Sequence, residues 1–146
     1  MLAGSLAFAL SGQAATGKVI KMLPFFLDLQ GRNELFPSLY ERDAYQNYLL
    51  LNPEKRAAMR FDVQWKVKGF PQAPLKIRLQ LRGSARGNPA RETVLEKPVE
   101  PGGWFSRWTS LRLEGQPYKD FGQLTSWRAT LWEGDKLLSE QKSFLW

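Results

Sequence analysis

The chain has 146 residues, with 21 Lys and Arg against 14 Asp and Glu, and a formal charge of +7. It contains neither Cys nor His. Those two zeros exclude a thiolate nucleophile, an imidazole base, a Ser-His-Asp triad, His/Cys metal sites and disulfides. A hydrophobic fraction of 43% and a charged fraction of 24% are those of a packed domain, and the length suits one domain of the usual size.

Residues 1–15 carry no charge. Leu2 to Leu10 form a short apolar run, and Ser11, Gly12, Gln13 and Ala14 supply small or polar residues after it. Gly12 and Ala14 stand at the −3 and −1 positions of a signal peptidase site that would cut before Ala15. The run is too short to cross a bilayer, which takes about 20 apolar residues. No basic residue follows Met1, so the positive start of a signal peptide is missing, and the alternative is an apolar first element of the domain. The expectation is a signal peptide over 1–14 and an exported, periplasmic or extracellular domain over 17–146. No second apolar run offers a transmembrane helix.

Gly17 to Leu29 reads as an opening strand interrupted at Pro24, a residue tolerated at edges and bulges. Ser38 and Glu41 form a capping box and start a helix over about 38–51. Tyr40, Ala44, Tyr48 and Leu51, widened by Tyr45 and Leu49, form the stripe expected to dock on the core. Asn52-Pro53 ends it and can begin a second turn through Ala58. From residue 61 the period becomes two: Phe61, Val63, Trp65 and Val67 alternate with polar residues, as do Leu75, Ile77, Leu79 and Leu81. The short, Pro-containing link between these two strands predicts that they are antiparallel neighbours.

A weaker strand covers Thr93–Val99, and another holds Thr109, Leu111 and Leu113. Gly115–Gly122 is a compact connection whose Tyr118 and Phe121 would plug one end of the core. Trp127, Ala129 and Leu131 mark a further strand, and a turn at Gly134-Asp135 returns the chain through an edge or bulged strand.

Six or seven short strands at this spacing predict an all-β antiparallel two-sheet sandwich with one helix inserted after the first strand. The layout resembles an immunoglobulin-like or fibronectin-III-like domain of bacterial exported proteins, with Trp65 matching the core Trp of such sandwiches. That resemblance implies a fold and no function.

Two features could carry function. Residues 60–91 hold Arg60, Lys66, Lys68, Lys76, Arg78, Arg82, Arg86 and Arg91 against Asp62 alone, so the whole formal +7 is lodged there. Lys66, Lys68, Lys76, Arg78 and Arg82 are expected on the polar side of two adjoining strands, with Arg86 at one end. They could form a face for an anionic envelope component or an acidic protein, or a solvated sheet face whose charges blunt edge pairing. Nucleic acid fits less well, because Phe61 and Trp65 point away from the charges.

The second feature is the aromatic load, with six Trp in all. Trp108 and Trp132 point outward by alternation, beside Arg112 and Arg128. They could stack on sugars, as in a carbohydrate-binding module, or lie beneath the helix as a second core layer. Catalysis would need paired carboxylates, and Asp28, Asp43, Asp62, Asp120, Glu133 and Asp135 form no motif. No phosphate loop, EF-hand loop or G-x-S-x-G elbow is visible, so no cofactor is expected. The leading expectation is a non-enzymatic exported domain that works by surface contacts. A carbohydrate-binding module and a carboxylate hydrolase are the alternatives.

Overall fold

The computed structural model describes residues 14–85 and 91–146. The signal-peptide expectation over 1–14 therefore falls almost entirely outside the described residues, as does Arg86. The elements are β1 (Thr16–Asp28), α1 (Leu39–Leu51), β2 (Arg56–Lys68), β3 (Leu75–Ser84), β4 (Arg91–Val99), β5 (Arg107–Glu114), α2 (Gly115–Phe121), β6 (Gln123–Glu133) and β7 (Lys136–Lys142). A short 3₁₀ turn over Pro53–Lys55 precedes β2.

The strands form two antiparallel sheets, ordered β1-β2-β5 and β4-β3-β6-β7. An immunoglobulin constant-type sandwich puts its fourth strand in the same sheet as the first, second and fifth. Here the fourth strand pairs with the third, which divides the seven strands three plus four. The predicted all-β sandwich with an inserted helix is the fold observed.

The core lies between the sheets. Phe61, Val63, Trp65 and Val67 of β2 face Leu75, Ile77, Leu79 and Leu81 of β3, with Leu111, Leu113, Ala129 and Leu131 around them. Their period of two follows from the pleat, which sends alternate side chains to opposite faces. Trp65 is buried, and its indole N–H donates to the Thr109 hydroxyl at 2.8 Å, so its one polar atom is satisfied inside the core. Phe121 of α2 closes one end, as its sequence position predicts.

Three expectations need correction. First, β2 and β3 are not neighbours in one sheet. The 69–74 link passes from one sheet to the other at the end of the sandwich, because each strand has a continuous apolar row and must place it against the other's. Second, β2 begins at Arg56 rather than residue 61, and Pro53–Lys55 is a single 3₁₀ turn.

Third, α1 starts as expected, with Ser38 Oγ accepting from the Glu41 amide, but its docking face is rotated and keeps only Tyr45 and Leu49 of the expected stripe. Arg42, Tyr45, Gln46 and Leu49 turn toward β1, while Tyr40, Tyr48 and Leu51 stay exposed. The reason is the free edge of β1. The Gln46 carboxamide accepts from the Phe26 amide at 2.7 Å and donates to the Phe26 carbonyl at 2.9 Å, taking the place of a neighbouring strand. Arg42 lies over the Phe25 ring, and Tyr45 donates to Asp28. These polar anchors outweigh the apolar stripe.

The last strand is both an edge and bulged. Trp132 pairs with Leu137 and Leu131 with Ser139, leaving Leu138 as the extra residue. The bulge lets Leu138 pack on the core and lets Ser139 Oγ accept from the Val19 amide of β1 at 2.9 Å. That bond links the two sheets along one side. Among the described residues no helix is long and apolar enough to cross a membrane.

Candidate functional site

The crossing between β2 and β3 divides the expected basic face in two. Lys66 and Lys68 lie on the outer surface of the first sheet; Lys76, Arg78 and Arg82 lie on the outer surface of the second. The two surfaces point away from each other, so these residues are not one face.

Their electrostatic surroundings also differ. β4 pairs with β3 so that Arg78 stands opposite Glu96 and Arg82 opposite Glu92. Arg78 Nε meets Glu96 at 2.6 Å, Lys76 Nζ lies 3.8 Å from the same carboxylate, and Arg82 Nε lies 3.7 Å from Glu92. The Arg78 hydrogen bond, helped by the nearby Lys76 charge, holds the Glu96 carboxyl below its usual range. On the next strand Arg128 pairs with Glu140 at 2.7 Å. The second sheet therefore carries cross-strand ion pairs that locally balance Lys76, Arg78, Arg82 and Arg128.

The first sheet is different. The β1–β2 register sets Lys18 opposite Lys66, Lys21 opposite Gln64 and Thr16 opposite Lys68, and Gln64 faces Trp108 across β5. Residues directly opposite in an antiparallel pair share a face. Lys18, Lys21, Lys66 and Lys68 thus occupy one half of the outer surface with no carboxylate among them. None forms an ion pair among the described residues. The nearest acid, Asp62, is held by Arg60 in a two-point contact of 2.9 and 3.0 Å. Toward the far end of this surface α1 covers the β1 edge, where Leu27 and Ala58 are buried.

The tryptophans separate in the same way. Trp108 belongs to the lysine surface, 48% exposed, with Lys21 Nζ 5.4 Å from its ring centre. Trp132 lies on the second sheet, half-buried, with Arg78 over its ring at 5.0 Å and its N–H donating to Thr130. They cannot act as one stacking pair, and α1 covers neither of them, since it packs on β1 near Phe25–Asp28.

Two inter-sheet loops, 69–74 and 100–106, bound the lysine surface at the end of β2. They carry Phe70, Trp104 and Phe105 at 83%, 88% and 79% exposure. Ser106 is tied to this surface by a hydrogen bond from Gln64. Sequence reading missed Lys18 and Lys21, because β1 was read without its partner. The run of free cations became visible only through the register.

The six carboxylates weighed as catalytic groups have separate surroundings. Asp28 accepts from Tyr45 and Arg32, Asp62 from Arg60 and Ser110, Asp120 from Gln116, and Glu133 from the Gln72 amide. Asp43 pairs with Arg42, and Asp135 occupies the β6–β7 turn. No three metal-binding side chains gather among the described residues. Comparison with protein-family models and with curated proteins returns no match for this chain.

Proposed function

We propose that this protein is a non-catalytic, exported binding domain that docks on an anionic envelope surface through the outer face of its first sheet. The observation that carries the reading is the set of four lysines, Lys18, Lys21, Lys66 and Lys68, without an ion pair among the described residues and bounded by exposed aromatic loops. Exposed cations without carboxylate neighbours attract anions over about a Debye length, roughly 10 Å at moderate salt. Aromatic rings at loop tips add contact area, since they favour a boundary that is apolar on one side and wet on the other. Export is supported by the uncharged residues 1–15 with their small-residue site.

The test is sedimentation of the protein with phosphatidylglycerol-containing vesicles, with pure phosphatidylcholine vesicles and a soluble sulfated dextran as separate arms. Salt-sensitive binding to an anionic arm, weakened severalfold by Trp104→Ala/Phe105→Ala, is the expected result. The same weak association with neutral and anionic vesicles, and none with the polyanion, would refute it.

A further inference from the structure

The opposite end of the sandwich holds a cleft of about 670 Å³, between the end of α1, the start of β2, α2 and the start of β6. Its size falls within the range of small-molecule sites, roughly 300–1,000 Å³. Pro24, Phe26, Leu50, Pro53, Met59 and Leu124 give it apolar walls. Among the described residues its charged lining is Arg56 and Lys119, with no carboxylate.

Arg56 is the informative residue. Its guanidinium lies 4.4 Å over the Phe26 ring, which holds it against a wall of the cleft. Its Nε is buried, yet meets no hydrogen-bond acceptor, and Arg56 has no ion pair among the described residues. A buried cationic donor without an acceptor is unfavourable and rare in folded proteins. Nε itself is closed to water, so a ligand in the cleft meets the guanidinium through its terminal nitrogens, and the group that best balances this unpaired charge is a carboxylate. Tyr118, which shares the lining, is shielded enough from water that burial raises its hydroxyl pKa, while the Arg56 charge opposes that shift.

We propose that this cleft binds a carboxylate carried on an apolar chain, a medium-chain fatty acid anion, with the Arg56 guanidinium as its anchor and the Phe26–Leu50–Leu124 walls around its tail. A free phosphate would satisfy the cation but leave those walls unused. A neutral alcohol of the same length would fill the walls but leave Arg56 unpaired. The site lies at the far end from the lysine surface and does not depend on how that surface is used.

The experiment titrates the full chain with octanoate and, separately, with octanol, by calorimetry and by following the Arg56 Nε–H resonance in ¹⁵N-edited NMR. Octanoate is expected to bind at least about tenfold more tightly than octanol and to shift the Arg56 Nε–H signal. Arg56→Gln should erase the preference for the carboxylate, and Lys119→Gln should reduce it modestly. If Arg56→Gln does not fold, the resonance shift in the native chain decides. An unmoved Arg56 signal, or equal affinity for octanol and octanoate, would overturn the proposal.

Discussion

Asp28 ends β1 and organises everything attached to it. It receives the Tyr45 hydroxyl, the Arg32 guanidinium at 3.0 Å, and the backbone amides of Gln30 and Arg32 at 2.9 and 2.8 Å. Burial alone would push its carboxyl up; the hydrogen bond from Tyr45 and those from Arg32 and Gln30 outweigh burial and hold it below the ordinary value near 3.8. The folded protein therefore binds this proton less tightly than the unfolded chain does. The stabilisation is complete above the ordinary value and is lost as pH falls through the lowered one. Asp28→Asn is expected to destabilise by about 1.5–3 kcal/mol at pH 7, with the gap from the native protein narrowing below pH about 4 in urea titrations. Nothing in the sequence marked Asp28 for this role. Its partners come from a turn and from a helix whose docking face periodicity misplaced. Trp65, in contrast, was legible, because one residue in an alternating strand places itself.

At the scale of elements, strands with a wet face were easy to read and their partners were not. The alternation in β2 and β3 states which side chains are buried, but the same pattern serves strands paired in one sheet or packed across two. Six residues with two prolines suit either geometry. The α2 plug was legible because Tyr118 and Phe121 stand between glycines in an otherwise polar connection. Gly122 follows it with φ +79° and ψ −143°, a region open essentially to Gly alone. A Cβ at that position would also run into the Ser84 backbone. Gly122→Ala should therefore lower stability by about 1–3 kcal/mol, seen as a reduced urea midpoint with an unchanged slope. A neutral effect would mean that the α2–β6 junction can relax around a side chain.

Over the whole molecule, the formal charge of the 60–91 segment proved a poor guide to surface charge. β4 brings Glu92 and Glu96 against Arg82 and Arg78, whereas β1 adds Lys18 and Lys21 to Lys66 and Lys68. The sequence count located an excess; strand pairing moved its unbalanced part to the opposite sheet. The most direct measurement compares two triple neutralisations for sedimentation with phosphatidylglycerol-containing vesicles. Each lysine near an anionic surface contributes about 1 kcal/mol. Lys18→Gln/Lys66→Gln/Lys68→Gln should thus weaken binding by about a hundredfold at moderate salt, while Lys76→Gln/Arg78→Gln/Arg82→Gln should leave it within about threefold. Equal losses in the two variants, or a larger loss from the second, would contradict the assignment of the docking surface to the first sheet.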